Sequence, residues 1–577
     1  MMKALSALFF LLLFALPVHA APTSTSGPWG VDASGFKNLS TCLASPLTSG
    51  KTVTVSTVMP INNKTVSGRR IHVVFGGRID VATGKQLSFV SSSVDAGSYQ
   101  IFGGAGTVTG LTSAYPQWWG DSSDAARGAA LLKAVNMMKA QGYGKISVPI
   151  GNYDIGTSSI TLLGTMILEG NGRANEMYNA SGSRIIYSGS GAAIDINDGS
   201  GTTTQGVVVR NLTLDGNNLG HVGIKLGSAT GTLKTGNALI ENNFIQKFTT
   251  SGLSVVLSAG SKIHKNEFFQ NQVGAIVERT PLLNTTTSFD ANRFDMNVEQ
   301  GLIVKGGDSI SSTNDIFELN GKEGVLVEKA LSSELINFSM INPWLEANNN
   351  GRSGSGYYQL VATSLDSSVI EAMTILNPHF DNAGSGNKHI YLRDGNFDIR
   401  NPFPTSPLYT SPYGVIADSV SSTIVSLSGK AFDPAGWSCG SAATTKLFAQ
   451  AYGINGGVKY YVNYSGTVSE IFAIDKFGVR FGGAGAYLKK HLVGTTTKDW
   501  GALADGAFAS TTVTVTGAVP GEGVAIANAG YQLPAGVLVS ANVTANDTVT
   551  VTVYNKRGTP LGAYGAMTVT AEVFVDN

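Results

Sequence analysis

Phe294-Asp295-Met296-Asn297 and Phe317-Glu318-Leu319-Asn320 are the same phrase written twice, and 317 − 294 gives an interval of 23 residues. Each phrase sets an acid directly after an aromatic ring. If the two phrases stack as neighbouring strands, Asp295 and Glu318 lie about 5 Å apart on the face opposite the rings. Carboxylates that close repel, and one of them keeps its proton to a higher pH. A protonated acid beside an ionised base or nucleophile is what cleavage of a glycosidic bond requires. The plain alternative is two solvated acids turned away from each other.

A second pair of phrases is longer. Asn342-Pro343-Trp344-Leu345-Glu346 is answered by Asn377-Pro378-His379-Phe380-Asp381, and 377 − 342 gives 35 residues. Stacking sets Trp344 beside His379, as candidate substrate contacts, and Glu346 beside Asp381, as a second pair of candidate catalytic acids. A sugar ring can lay its C–H face on an indole while acids meet its hydroxyls. Trp344 as an ordinary core residue fits the sequence equally well. Residues 349–357, rich in Gly, Ser and Asn, form an expected loop next to this pair, and such loops often line sites. Arg293 precedes the first aromatic phrase and is a candidate substrate contact. Elimination chemistry would instead use a cationic base, for which Arg293 and Lys265 are placed, often with Ca²⁺ held by several acids. The sequence has no tight acidic cluster, so hydrolysis ranks above elimination. The seven His are scattered, with no Cys/His metal spacing, Ser-His-Asp order or phosphate loop. Neither metal nor cofactor is expected.

What must position these residues is a repeat. Phe244, Phe268, Phe294 and Phe317 recur at 268 − 244 = 24, 294 − 268 = 26 and 317 − 294 = 23 residues, each a few residues before a Gly-led apolar run ending in Val. Periods of this size mean stacked units sharing one core. Each unit holds two or three short runs of β-branched and aromatic residues cut by Asn or Gly, too short for helices. The pattern predicts a right-handed, single-stranded parallel β-helix, with the four Phe stacked inward. Asn271, Asn297 and Asn320 are expected to form an amide ladder at a turn, where Asn tolerates left-handed backbone.

Composition agrees. Charged residues are 14% of 577, balanced at 39 basic and 39 acidic, so no basic field exists to attract nucleic acid. Gly is abundant at 71 and Pro scarce at 18, which with heavy Ser, Thr, Asn and Val reads as all-β. Lys3, the apolar stretch Leu5 to Leu16 and Val18-His19-Ala20 read as a secretory signal over residues 1–20, with the mature chain starting at Ala21. Its apolar stretch is too short to span a bilayer and no later segment reads as a membrane span, so the expected location is secreted or cell-surface. Cys42 and Cys439 could pair in an oxidising compartment.

Tyr115-Pro116-Gln117-Trp118-Trp119-Gly120 breaks the strand pattern. A helix is expected over residues 121–140, N-capped at Asp124 and stopped by Gly142 and Gly144. Val148-Pro149-Ile150-Gly151-Asn152-Tyr153-Asp154-Ile155 follows. This order of Pro-x-Trp-x-Gly, Ala-rich helix and Val-Pro-x-Gly-x-Tyr-x-Ile resembles the start of the pectate-lyase-like β-helix superfamily, which includes tailspike depolymerases and exopolysaccharide enzymes. The resemblance covers roughly residues 70–400. It implies that the helix caps the β-helix, and that a polysaccharide is the partner. Asp121 and Asp124 are split by Ser122-Ser123, where the family usually has adjacent acids.

The expected organisation is residues 1–20 as signal, 21–115 as a small β module or the opening coils, and 116–405 as the β-helix. A β-rich connecting domain at 406–500 and a β-sandwich at 501–577 follow. The last segment resembles the C-terminal domains of tail-fibre-like proteins, which implies a homotrimer. Two readings remain open. One is an exported hydrolase or lyase acting on an extracellular glycan; the other is a non-catalytic adhesin or fibre that binds glycan.

Overall fold

The structure is a computed structural model. It describes residues 30–576 apart from 175–180, 197–203, 229–234, 279–283, 330–335, 350–357, 365–369, 382–387, 401–402, 405–414, 429–437, 440–444, 450–457, 465–466, 476–477, 482–487 and 531–532; side chains are also left out at 381, 388, 394, 401–489 and 576. The expected signal segment and most of the expected loop 349–357 therefore lie outside the described residues. The chain divides into two units, Met1–Ile303 and Val304–Asn577. Each is described by itself.

The first unit is built of parallel ladders. Before the helix, Gly30–Asp32, Thr52–Val55, Arg70–Val73 and Ser93–Asp95 form one ladder. Val58–Ile61, Arg78–Val81 and Phe102–Gly103 form a second, and Lys64–Ser67, Gln86–Val90 and Thr107–Thr109 a third. Strands such as Thr52–Val55 and Arg78–Val81 alternate buried and more exposed residues. That alternation winds a chain around one core.

The helix runs Asp124–Gln141. Its cap is Ser123 rather than Asp124: the Ser123 hydroxyl accepts the Ala126 N–H at 3.1 Å. Gly142 ends it at φ 75°, where a side chain would be strained. Gly128 faces the sheet so closely that a Cβ there would fall 1.8 Å from the Asp154 carbonyl oxygen. The helix packs against Tyr143–Val148 and Gly151–Asp154 and also touches Thr107–Thr109, so it contacts strands on both sides of it in sequence.

After the helix the coils continue in three walls. The wall that matters most here is Gly151–Asp154, Ser183–Ile186, Thr213–Asp215, Phe244–Gln246, Glu267–Phe269 and Arg293–Asp295. Its middle residues Tyr153, Ile185, Leu214, Ile245, Phe268 and Phe294 are in register, and all have no exposed surface. Phe268 and Phe294 stack at 4.8 Å and 10°. Phe244 is not in this column. It pairs with Glu267, while Ile245 pairs with Phe268, so Phe244 faces outward and stacks on Phe269 at 5.6 Å.

The register is set by amides rather than rings. Asn243 donates to the Asn266 side-chain oxygen at 3.0 Å, and Asn266 to that of Asn292 at 3.1 Å. At the other end of the same strands Asn271 donates to Asn297 at 3.3 Å. The left-handed residues are those before these Asn: Asn242, Lys265 and Ala291 in the first ladder, Gln270 and Met296 in the second, with φ between 51° and 55°. The Asn are selected for their side-chain bonds, not for backbone tolerance.

The second unit repeats the scheme. Gly307–Thr313, Ile336–Ile341, Ile370–Leu376 and Lys388–Arg400 pair in parallel, as do Ile316–Glu318, Trp344–Glu346, His379–Asp381 and Phe403–Pro404. Asn320 donates to the Asn348 side-chain oxygen at 2.7 Å, an amide pair within this unit. Parallel pairing runs on through Val415–Ser428 and Thr445–Ala449, past the prolines near residue 405. Antiparallel pairing starts at Val458–Tyr464. Two antiparallel sheets then enclose Trp500, Val513, Val551 and Val573. The first of them already includes Leu488–Asp499. The fold is all-β: a parallel β-helix followed by antiparallel sheets.

Cys42 is buried, and its thiol is free and pushed up to about 11 by burial. The Cys439 side chain lies outside the described residues. Among the described residues no helix is long and apolar enough to cross a membrane, which does not bear on strands.

Candidate functional site

On the wall just described, residues either side of the inward column face out. Arg184, Thr213, Phe244, Glu267 and Arg293 form one outer column; Ile186, Asp215, Gln246, Phe269 and Asp295 form the other. Outward on such a wall usually means wet, but several of these are buried: Asp215 at 1% exposure, Gln246 at 0%, Phe244 at 1% and Asp295 at 5%. The arm Asn171 to Ala174 meets the Thr213–Glu267 column. The Ala174 N–H donates to the Thr213 hydroxyl at 2.7 Å, and that hydroxyl donates back to the Ala174 carbonyl at 2.8 Å. From the arm, Arg173 reaches Glu267 at 3.6 Å and the Asn243 carbonyl at 3.4 Å.

The charges fall into two groups. Arg184 pairs with Asp215, which also accepts the Gln246 amide at 2.9 Å. Arg293, with a half-exposed side chain, pairs with Asp295 at 3.2 Å. Burial holds the Asp295 carboxyl above the usual range; Arg293 opposes the shift and the nearby Glu267 carboxylate adds to it. Asp295 Oδ1 is buried without a hydrogen-bond partner among the described residues, and so is Gln246 Oε1. A buried acid whose carboxyl is raised, with one oxygen uncommitted, lies in the field of a second carboxylate paired with Arg173. That arrangement suits Asp295 to donating a proton to a bound oxygen.

The expected partner of Asp295 was Glu318. Asp295 belongs to the first unit and Glu318 to the second, so their adjacency stays an expectation. Within the first unit the carboxylate acting on Asp295 is Glu267, which precedes the stacked Phe268 instead of following Phe294. Sequence reasoning passed over Glu267, Asp215, Arg173 and Arg184. An alignment on Asn243, Asn266 and Asn292 would have set Glu267 beside Arg293, because each follows its ladder Asn by one residue.

In the second unit, Trp344 stacks on His379 with ring centroids 3.7 Å apart and 22° between planes. Trp344 is 38% exposed, so it is not a core residue. Its indole N–H donates to Glu346 at 2.9 Å. Glu346 is in backbone register with Asp381, whose side chain lies outside the described residues. Among the described residues no group of three or more His, Cys, Asp or Glu could hold a metal ion.

Residues 167–339 match the family model described as the right handed beta helix region. No curated protein matches the chain. Among solved structures, the chain is similar to the A-module of a mannuronan C-5 epimerase from Azotobacter vinelandii, at 16% identity over 58% of this chain and 94% of that one, with a TM-score of 0.44. It is also similar to the Dettilon tailspike protein, at 10% identity over 80% and 94% of the two chains with a TM-score of 0.42. The catalytic unit of an alpha-1,3-glucanase from Streptomyces thermodiastaticus matches at 15% identity over 59% and 68%, with a TM-score of 0.36. These likenesses are of fold. The protein is a right-handed parallel β-helix protein with C-terminal antiparallel sheets.

Proposed function

We propose that the protein is exported and cleaves glycosidic bonds of an extracellular polysaccharide at the Glu267–Arg293–Asp295 wall, by hydrolysis. The observation that carries this reading is Asp295: buried, with its carboxyl raised and an oxygen uncommitted, and in the field of the Glu267 carboxylate. Asp295 protonates the glycosidic oxygen as the C–O bond breaks. Glu267 takes the proton from the attacking water or attacks the sugar carbon itself. Arg173 and Arg293 hold the two carboxylates and meet substrate oxygens. The exposed Trp344, with His379, Glu346 and Asp381, is a sugar-binding patch, and Glu318 has no assigned part in the bond-breaking step.

A second reading, glycan binding without cleavage, is favoured by the same Trp344–His379 stack, which needs no catalysis to hold a sugar. One experiment separates the two. The protein is incubated with bacterial exopolysaccharides and acidic plant glycans, following reducing ends and the absorbance of unsaturated uronates. Hydrolysis releases reducing ends without that absorbance; elimination produces both. Asp295→Asn and Glu267→Gln should each lower turnover by roughly 10²–10⁴-fold. Turnover that survives both substitutions removes the assignment, and silence on every glycan with binding intact leaves the binding protein.

A further inference from the structure

The C-terminal sandwich presents a sheet face with no assigned role. Phe508–Thr514, Thr548–Asn555 and Val537–Ala545 pair antiparallel, and alternate residues point away from the core. Register lines the outward residues in rows across the three strands. Phe508, Tyr554 and Leu538 make the first row; Phe508 is 68% exposed and Leu538 54%. Ser510, Thr552 and Ser540 make the next, and Thr512, Thr550 and Asn542 the third.

No position in these rows carries a charge. Ser510 and Thr552 share a hydrogen bond at 2.8 Å, as do Thr544 and Thr550, so the hydroxyls are fixed relative to one another. Lys556 lies 5.1 Å from the Tyr554 ring centroid and holds that ring at the end of its strand. The face is thus an apolar rail with an exposed ring, bordered by neutral donors and acceptors about 7 Å and 14 Å along the strands. The outer face of the other sheet differs. It exposes Val493, Val524 and Ile526 beside the ion pair His491–Glu572 at 2.9 Å.

We infer that the Phe508–Tyr554–Leu538 rail and its hydroxyl rows bind a neutral polysaccharide chain laid across the three strands. Three strands are about 10 Å from first to last, which suits a short run of sugars. Sugar C–H faces meet the rail, and sugar hydroxyls exchange hydrogen bonds with the Ser, Thr and Asn rows. Nucleic acid and polyuronate both call for a line of cations, and the rows offer none besides Lys556 at the end of the first. A protein partner calls for a larger apolar centre than three side chains at one edge.

The inference goes beyond the cleavage site and is tested with that site silenced. Full-length protein carrying Asp295→Asn and Trp344→Ala is run through native gels cast with laminarin, xylan, galactomannan or alginate. Retardation by at least one of the three neutral glycans is expected. Adding Phe508→Ala with Tyr554→Ala should weaken it roughly tenfold or more, while Tyr554→Phe keeps it. Thr552→Arg, which drives a bulky cation into the middle row, should also weaken it. Retardation that ignores these substitutions, that occurs with alginate alone or that is absent from all three neutral gels overturns the inference. So does a change of sedimentation coefficient in Phe508→Ala/Tyr554→Ala, which would make the face a contact between copies of this chain. Cleavage assays are read separately on protein with Asp295 intact, so either proposal can fail without the other.

Discussion

Asn271→Ala is the sharpest test of what holds the rungs in register. The Asn271 side chain accepts the Phe248 N–H at 3.1 Å, donates to the Ile245 carbonyl at 2.9 Å and donates to the Asn297 oxygen at 3.3 Å. It has no exposed surface. Truncation to a methyl leaves the Phe248 N–H and the Ile245 carbonyl buried without partners. Each orphaned group costs about 1–3 kcal/mol. Asn297 keeps the Asn271 backbone N–H at 3.0 Å and its own bond to the Phe268 carbonyl at 3.0 Å, so the damage stays local. The expected loss is about 2–6 kcal/mol, a large share of a typical folding stability. At about 2–4 °C per kcal/mol for a unit of this size, the midpoint of thermal unfolding should fall by roughly 10 °C. Circular dichroism against temperature and against urea reads both quantities. A fall below about 1 kcal/mol, the size of a surface substitution, would mean that water or backbone relaxation replaces the ladder and that the amides do not set the register.

Gly252→Ala should destabilise by about 1–3 kcal/mol in urea, because its Cβ would lie 2.8 Å from the Gly274 carbonyl oxygen and 2.9 Å from the Phe268 ring. Asp295→Asn should stabilise the protein at pH 7 while abolishing cleavage, since it removes a charge that burial disfavours. The folded carboxyl lies above its unfolded value, so this gain should shrink as pH falls towards the unfolded range and vanish below it; a gain that persists at low pH contradicts the assignment. Burial pushes His389 down to about 4. Its contribution is therefore intact above pH 6.5 and lost as pH falls from there to about 4, by up to about 3 kcal/mol, and His389→Phe should flatten that stretch of the urea midpoint-versus-pH curve.

The period was legible because each coil must bury one residue at the same place, and Phe268 and Phe294 do so in both sequence and structure. The slip at Phe244 shows where this logic runs out. Asn242-Asn243-Phe244 and Asn266-Glu267-Phe268 align on their rings at 24 residues, but Asn243 and Asn266 bond at 266 − 243 = 23. The inward slot accepts Ile245 without strain, whereas a buried amide without its partner is costly, so the amides win. Side-chain direction was legible too: Asp295 does point out of the core. Its burial was not. On the same wall Arg173 and Ala174 reach Glu267 and Thr213, and no periodicity announces an arm that leaves the stack. Trp344 was ambiguous for a similar reason, since an aromatic in an outward column suits a covered wall or an open one.

The two ladders also bear on the chemistry. Glu267 and Arg293 each follow an Asn of the first ladder by one residue, and Phe269 and Asp295 each precede an Asn of the second by two. The strands carrying the acids are thus pinned at both ends by buried amides. Two carboxylates on a loop relieve repulsion by moving apart; on these rungs the backbone cannot, and register fixes Glu267 opposite Arg293 and diagonal to Asp295. Cations relieve part of that repulsion. Arg173 and Arg293 stand beside the acids, while burial and the remaining repulsion raise the Asp295 carboxyl. The energy stored in that arrangement comes from the amide ladders, which hold the strands together against it. Loosening a ladder at Asn266 or Asn292 would admit water to Asp295 and let the acids separate, and the Asp295 carboxyl would then fall back towards its ordinary range even with every residue of the wall still in place.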